Sequence, residues 1–228
     1  MTRERLQPIV IFGAGGHASV VLDAVRRTES LETRGFLTPP PAAPSSSADQ
    51  GTVLGLPILG DENDEALMEQ LVDQGVLGVV AVGDIARRIQ IVETIERVAP
   101  NFQFVSVVHP GAIVDQSVQV GAGSVVLAGA IINANTVIGR HALVNTSASV
   151  DHDNHIGDFG TLSPGITTGG AVTIGARTLI GIGASIIDHI AVGEDSLVGA
   201  GSTVVRDVPS GVVAYGNPAR VIRPHTLA

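Results

Sequence analysis

A six-residue repeat runs through the second half of the chain and constrains its fold more than any other feature. Every sixth residue from Val108 to Val204 is Val, Ile or Leu, with Thr168 as the single exception. The position four residues later is mostly small or β-branched, and the position one residue later is Gly in eight of the 17 repeats. Ordinary sheet strands keep no such phase, so the repeat predicts a parallel β-helix.

Each position of the repeat has a physical reason in that fold. The aliphatic residue is expected to point into the shaft of a triangular prism, and the small residue is expected to fit the tight inner corner. Gly one position later is expected to tolerate the turn geometry. Three repeats make one coil, so 17 repeats give between five and six coils. At the usual spacing of neighbouring strands the prism is about 27 Å tall.

The N-terminal segment 8–27 is typical of a strand, a Gly-rich turn and an amphipathic helix. The turn Gly13-Ala14-Gly15-Gly16-His17-Ala18 is similar to the dinucleotide fingerprint, in which backbone N–H groups approach a diphosphate. The segment is short for a complete dinucleotide domain, and no acidic residue follows an obvious second strand. A single diphosphate, as in a nucleotide sugar, is therefore favoured over NAD.

A second turn of this kind follows a helix near 61–74 and a strand at 76–82. Gly83 and Asp84 lie where open α/β sheets bind ligands, although Asp84 is equally suited to cap the next helix, which ends near Pro100. The Pro/Ala/Ser-rich segment 38–50 is predicted to be a flexible loop within this domain. We therefore predict a Rossmann-like α/β domain over 1–105 and a parallel β-helix domain with a C-terminal tail over 106–228.

Composition excludes several classes of chemistry. The chain has a net charge of -9 and no basic run, which argues against nucleic acid as a partner. It has no cysteine, and all 13 basic residues are arginine, so thiolate nucleophiles, cysteine metal sites and lysine Schiff bases are excluded. We expect neither a membrane span nor a signal peptide, because no apolar stretch is long enough, and hence a cytoplasmic protein.

One polar cluster interrupts the repeat, at Asp151-His152-Asp153-Asn154-His155. His152 takes the third position of its repeat, so its side chain should point out of the prism. An imidazole that is paired with a carboxylate through one nitrogen can act as a general base through the other. From these residues alone, a solvated polar turn is the alternative interpretation.

Several motifs together resemble one known family. They are the GAGGHA turn, Asn145-Thr146-Ser147, Asp151-His152-Asp153, Ile156-Gly157-Asp158-Phe159 and Tyr215-Gly216-Asn217-Pro218-Ala219-Arg220. Over essentially the whole chain they resemble bacterial sugar acyltransferases of the left-handed β-helix superfamily. The group includes the bacillosamine and perosamine N-acetyltransferases and the sialic acid O-acetyltransferases. The resemblance implies the left hand of the β-helix.

The resemblance also implies roles for individual residues. His152 matches the catalytic base and Asp153 its supporting acid, with Asp151 as the second candidate partner. The positions that match sugar-nucleotide contacts are Gly15, Gly16, His17 and Gly83. The positions that match acetyl-CoA contacts are Thr161, where some members have a second histidine, Gly170 as an oxyanion donor, Ile182, Ala200, Asn217 and Pro218.

The expected activity is N-acetylation of a nucleotide-linked 4-amino-4,6-dideoxy sugar by acetyl-CoA, in a homotrimer that requires no metal. Some members hold the nucleotide base with an acidic pair that Gly35-Phe36-Leu37-Thr38 lacks, so the nucleotide is left open. O-acetylation of a sialic acid type of sugar is one alternative, and an acyl-enzyme on Ser147 or Ser163 is another. A carbonic anhydrase with zinc held by histidines, and a purely structural β-helix, are further alternatives.

Overall fold

The chain divides between residues 107 and 108 into two compact units. The computed structural model describes residues 6–39 and 52–227. Most of the predicted loop 38–50 therefore lies outside the described residues. Within the described ranges, no helix is long and apolar enough to cross a membrane.

Among its described residues, the first unit is a five-stranded sheet with three helices. Its strand order is β3-β4-β2-β1-β5, in which β3 and β4 form an antiparallel hairpin and all other neighbours are parallel. The elements are β1 Gln7–Phe12, α1 Gly16–Arg27, β2 Leu31–Leu37, β3 Thr52–Val53, β4 Leu56–Gly60, α2 Glu65–Asp73, β5 Leu77–Val80 and α3 Ile85–Val98.

The elements of this unit follow local signals in the sequence. The predicted strand, turn and helix over 8–27 are confirmed, and β1 is fully buried over Ile9–Phe12 because it lies between two parallel neighbours. Helix α2 begins later than predicted because Asp64 caps it, accepting a hydrogen bond from the Leu67 N–H at 3.0 Å. The β3–β4 hairpin was not predicted.

The second unit is a prism of 17 two-residue strands in three parallel sheets. Partners in neighbouring coils are 18 residues apart, as for Val144 and Leu162, so the prediction of three repeats per coil is confirmed. The strands of the first sheet are β6 Val107–Val108, β9 Val125–Val126, β12 Leu143–Val144, β15 Thr161–Leu162, β18 Leu179–Ile180 and β21 Leu197–Val198.

The other two sheets complete the left-handed β-helix. The second sheet contains β7 Ile113–Val114, β10 Ile131–Ile132, β13 Ser149–Val150, β16 Thr167–Thr168, β19 Ser185–Ile186 and β22 Thr203–Val204. The third contains β8 Gln119–Val120, β11 Val137–Ile138, β14 His155–Ile156, β17 Thr173–Ile174 and β20 Ala191–Val192. A C-terminal hairpin, β23 Val212–Gly216 and β24 Ala219–Pro224, extends the first sheet beyond β21.

The core of the prism is built as the repeat predicts. From Val126 to Val204 the aliphatic position is buried in every repeat, and Thr168 is buried with the rest. The small residues of the inner corner are also buried, among them Ser124, Ala148 and Thr178. No aromatic side chain belongs to this cluster within the described residues, which accounts for the low aromatic content of the chain.

The expected role of the repeat glycines was wrong. The left-handed backbone conformation falls three residues after the aliphatic position, at residues such as Asp153 (φ 57°) and Phe159 (φ 59°). The glycines one residue after the aliphatic position are instead required by close approach of the next coil. A Cβ at Gly139 would lie 2.6 Å from the Asp158 nitrogen, and one at Gly157 would lie 2.5 Å from the Ala176 nitrogen.

Candidate active site

His152 and Asp153 form a hydrogen-bonded pair on an exposed turn of the prism. The turn joins β13 to β14, and the His152 Nδ1 lies 2.7 Å from Asp153 Oδ2. A carboxylate only accepts hydrogen bonds, so the neutral imidazole donates through Nδ1 and Nε2 is left as the basic nitrogen. Within the described part of the chain, Nε2 has no hydrogen-bond partner.

The carboxylates on this turn tune the imidazole. The hydrogen bond that His152 donates to Asp153, followed by the negative charge of Asp151, raises the pKa of His152 above its ordinary value. The hydrogen bonds that Asp153 accepts, first from His152 and then from Asn135, lower the pKa of Asp153. The pair is therefore arranged as a carboxylate that orients and strengthens a histidine base.

Asparagines in the preceding coil hold both carboxylates. The Asn135 side chain donates to Asp153 Oδ1 at 3.1 Å, which leaves Oδ2 for the imidazole. Asn133 donates to Asp151 Oδ1 at 3.0 Å, and the same oxygen accepts the His152 backbone N–H at 2.8 Å. Asp151 thus fixes the backbone of the turn and Asp153 fixes the ring. These asparagines were missed in the sequence, although their 18-residue offset from the carboxylates is a usable signal.

Gly170 lies beside the imidazole in the next coil. A Cβ built on Gly170 would be 2.6 Å from His152 Cε1 and 2.7 Å from Nε2. The neighbouring Ala171 N–H donates to the His152 carbonyl at 2.9 Å, which joins the two turns. No partner for the Gly170 N–H is found in the part of the chain that the structure describes. The structure therefore brings together the predicted base and the predicted oxyanion donor.

The residues predicted to contact the coenzyme divide between two corners of the prism. Ile182 and Ala200 are exposed and occupy equivalent positions in successive coils, at the corner between the first and second sheets. His152 and Gly170 lie at the corner between the second and third sheets. Thr161 is on β15 and only 4% exposed. Within one chain, these sets are therefore not brought together.

The C-terminal hairpin extends the corner that carries Ile182 and Ala200. Asn217 and Pro218 form its exposed turn, and they are joined by a cis peptide bond. The Gly216 N–H donates to the Ser202 hydroxyl at 3.2 Å, which fixes the hairpin next to the last coil. Ile182, Ala200, Asn217 and Pro218 thus follow one another along one corner.

A cavity of about 470 Å³ in the first unit contains all four residues predicted to bind the sugar nucleotide. Gly15, Gly16 and His17 begin α1 after β1, and Gly83 follows the neighbouring strand β5. A Cβ added to Gly15, Gly16 or Gly83 would meet no atom within 4 Å. Packing does not require glycine there, so these positions leave room for a ligand.

Two buried charged residues were missed in the sequence: Glu62, which lines this cavity, and Arg88, which donates to the carbonyls of two lining residues. Arg88, only 2% exposed, donates from Nη1 to the carbonyls of Val82 at 2.8 Å and Gly83 at 3.1 Å. Burial lowers the pKa of Arg88 to about 10, and burial with the Arg88 charge lowers the pKa of His17. Glu62 lines the cavity, 2% exposed, and Arg87 donates to it at 2.5 Å. Arg88 was detectable as a charge on the apolar face of α3.

Asp84 acts as a helix cap. Its side chain accepts a hydrogen bond from the Arg87 N–H at 2.8 Å, at the N-terminus of α3. Of the two interpretations open from the sequence, the structure supports the cap for Asp84, while Gly83 beside it lines the cavity.

Comparison with known proteins identifies the family. A family model described as the PglD N-terminal domain matches residues 8–95. A crystal structure of a point mutant of perosamine N-acetyltransferase from Caulobacter crescentus, in complex with CoA and GDP-perosamine, is 37% identical with a TM-score of 0.83. The match covers 96% of this chain and 98% of that chain. The chain belongs to the hexapeptide-repeat sugar acetyltransferases.

Two further structures support this family. The acetyltransferase domain of PglB from Neisseria gonorrhoeae FA1090, in complex with acetyl coenzyme A, is 33% identical with a TM-score of 0.83 over 96% of this chain and 100% of that chain. WeeI from Acinetobacter baumannii AYE is 25% identical with a TM-score of 0.78, over 95% of this chain and 100% of that chain. No curated protein sequence matches the chain.

As a sugar acetyltransferase the chain is an enzyme, which decides against the purely structural alternative and favours acyl transfer over carbonic anhydrase activity. The described residues contain no group of three or more His, Asp or Glu side chains that could hold a metal ion. Ser147 and Ser163 lie on turns at the corner between the first and second sheets. Within one chain they are therefore not at the corner that carries His152.

Proposed function

We propose that this acetyltransferase transfers the acetyl group of acetyl-CoA to the amine of a nucleotide-linked 4-amino-4,6-dideoxy sugar, with His152 as the general base. One observation carries the proposal. The His152 ring is held by Asp153 through Nδ1 at 2.7 Å, and its Nε2 edge lies against Gly170, whose N–H has no partner among the described residues. A basic nitrogen and a hydrogen-bond donor thus share one corner.

The reaction follows from these two groups. The uncharged sugar amine attacks the thioester carbonyl carbon, and the new C–N bond makes the nitrogen positively charged. Nε2 of His152 takes the proton that this nitrogen loses. The Gly170 N–H donates to the oxyanion of the tetrahedral intermediate. The C–S bond then breaks, the carbonyl forms again, and the imidazolium returns its proton to the CoA thiolate.

Acetyl-CoA would bind along the corner between the first and second sheets of the prism. Ile182 and Ala200 present an exposed surface there, and Asn217 and Pro218 continue it. Because His152 is at another corner of the same chain, a coenzyme that reaches both sets must lie between two copies. This supports a homotrimer in which each active site lies between two neighbouring copies. Thr161, Gly170 and the corner between the first and second sheets would contribute to these sites. Both co-substrates are cytoplasmic metabolites, so the enzyme is proposed to act there.

The nucleotide sugar would bind in the cavity of the first unit. Helix α1 has no side-chain cap, and Gly15 and Gly16 leave open space at its N-terminus. Uncapped N–H groups and the helix dipole favour a diphosphate at this position. His17 and Gly83 line the same cavity.

The comparisons favour an amine over a hydroxyl as acceptor. The Caulobacter crescentus relative is an N-acetyltransferase crystallised with GDP-perosamine, and it is 37% identical over nearly the whole chain. GDP-perosamine is therefore the first acceptor to test. O-acetylation would use the same base and coenzyme, so the product must be identified chemically.

The test is a panel of UDP-, GDP- and dTDP-linked 4-amino-4,6-dideoxy sugars with acetyl-CoA. A thiol reagent measures the CoA released, without background from the protein, because the chain has no cysteine. Each 4-hydroxy analogue is the matched control. We expect one 4-amino sugar to release CoA and give an amide that resists hydroxylamine, while its analogue does not react. Faster reaction of the hydroxy analogue, with an ester product, would contradict the proposal.

A further inference from the structure

Asn154 occupies the inner-corner position of the repeat that contains His152. It is 1% exposed. At all other repeats this position is Ala, Ser, Thr, Gly, Val or Ile. Among the described residues of the prism, a buried side-chain amide is thus found only in the turn that carries the proposed base.

Polar residues at this position share one hydrogen bond. The Ser124 hydroxyl donates to the Gly139 carbonyl at 2.6 Å, and the Thr178 hydroxyl donates to the Gly193 carbonyl at 2.7 Å. In each case the acceptor is 15 residues later, in the next coil. Asn154 makes the same bond, from Nδ2 to the Gly169 carbonyl at 2.9 Å.

Asn154 makes two more bonds, both within its own turn. Its Nδ2 also donates to the carbonyls of Asp151 at 2.8 Å and His152 at 3.1 Å. Hydroxyls at this position make only the second of them, and only at longer distances, as Thr178 does to the Ala176 carbonyl at 3.5 Å and Ser196 to the Glu194 carbonyl at 3.3 Å. Two N–H hydrogens serve three carbonyl oxygens, so one hydrogen is shared. The amide orientation follows, because only the NH₂ group can face three acceptors.

The amide has a cost that a hydroxyl would avoid. Asn154 Oδ1 is buried and has no hydrogen-bond partner within the described residues. A buried polar atom without a partner is unfavourable. Thr or Ser would make the bond to the next coil without it, as Thr178 and Ser124 do. The compensation is the bond to the Asp151 carbonyl, together with a shorter bond to the His152 carbonyl than the hydroxyls of Thr178 and Ser196 make to theirs.

We propose that Asn154 is a positioning residue, which clamps the backbone of the His152 turn to the Gly169–Gly170 turn of the next coil. The clamp fixes the spacing between His152 Nε2 and the Gly170 N–H, the two groups between which the thioester carbonyl must lie. This inference rests on the proposed role of His152 as the base.

Asn154→Thr separates the two kinds of bond. It retains the bond to the next coil, loses the bond to Asp151, and leaves at most a long bond to His152, like the 3.5 Å bond of Thr178 to Ala176. We expect kcat to fall about tenfold or more, because misplaced reacting groups are costly, while the KM for acetyl-CoA stays within about twofold. The matched control is Ser124→Ala, which removes an equivalent inter-coil bond at a different corner of the prism from His152. It should lower Tm and leave kcat unchanged.

A second measurement needs no turnover. Titration of the His152 ring by NMR in Asn154→Thr should show its pKa falling toward the ordinary value, since a loosened turn weakens the Asp153 bond that raises it. Unchanged kcat together with an unchanged His152 pKa would overturn the inference. If the wild type acetylates no sugar in the panel, the proposed function fails, and the titration alone then tests whether Asn154 positions the His152 ring. If the Asn154→Thr variant does not fold, Asn154→Ser replaces it in both measurements.

Discussion

The His152 ring packs against the α-carbon of Gly170, which occupies the same position in the next coil. A methyl group at residue 170 would lie 2.6 Å from Cε1 and 2.7 Å from Nε2 of the ring. Gly170 is not among the glycines with positive φ, so its backbone conformation does not require glycine. The contact with the imidazole does. Residue 170 therefore controls where the basic nitrogen of residue 152 lies.

Gly170→Ala should separate catalysis from stability. The added methyl displaces the exposed imidazole, which can move without disturbing the core, so Tm should change little. The displaced ring should lower kcat by about 10²-fold, the scale associated with a misplacement of about 1 Å. Steady-state kinetics and thermal unfolding of the same preparation check this. A fall in Tm that accounts for the lost activity would contradict it.

Asp153→Asn should move the pH profile to lower pH. Asp153 is the largest cause of the raised pKa of His152, and the base must be neutral to act. In the wild type, kcat/KM therefore rises with pH through this raised pKa. In the variant the pKa falls, so the rise comes at lower pH, while the plateau drops roughly tenfold or more because a weaker base remains.

Asp151→Asn is the matched control for that experiment. Asp151 acts on His152 through its charge and not through a hydrogen bond to the ring. The pH profile should shift in the same direction and by less. A larger shift for Asp151→Asn than for Asp153→Asn would make Asp151 the supporting acid.

Gly83→Val should weaken binding of the nucleotide sugar alone. A Cβ at Gly83 meets no protein atom within 4 Å, so the fold should tolerate the side chain, which would occupy the cavity instead. We expect the KM of the sugar nucleotide to rise about tenfold or more. The KM of acetyl-CoA is the internal control and should not change. An unchanged KM for the sugar would place the substrate elsewhere.

No acetyl-enzyme should accumulate. Direct attack of the sugar amine on the thioester needs no covalent intermediate. Incubation with labelled acetyl-CoA alone, followed by intact-protein mass spectrometry, should show unmodified chain. A stoichiometric acetyl adduct that disappears when the sugar is added would support the acyl-enzyme route.

The regular part of the fold was predictable because each repeat states the same pattern. The aliphatic and inner-corner positions were assigned correctly, from Val126 to Val204, since one residue type recurs at one period. The reason for the repeat glycines was not predicted correctly. Close approach between coils depends on the stacking of residues 18 positions apart and not on local turn preference.

The site was predictable only in part. The resemblance indicated His152, Asp153 and Gly170, but it did not indicate how neighbouring coils support them. Asn135 bonds to Asp153, 18 residues later, and Asn154 bonds to Gly169, 15 residues later. These contacts appear only when the coils are stacked. Glu62 lies in an acidic run whose other members gave no basis for singling it out.

The central claim is that His152 is the base, and His152→Ala tests it most directly. With a saturating 4-amino sugar nucleotide and saturating acetyl-CoA, kcat should fall by about 10² to 10⁴. The Tm and the dissociation constant of CoA should stay unchanged, because the side chain is exposed. A kcat within about twofold of the wild type would contradict the account.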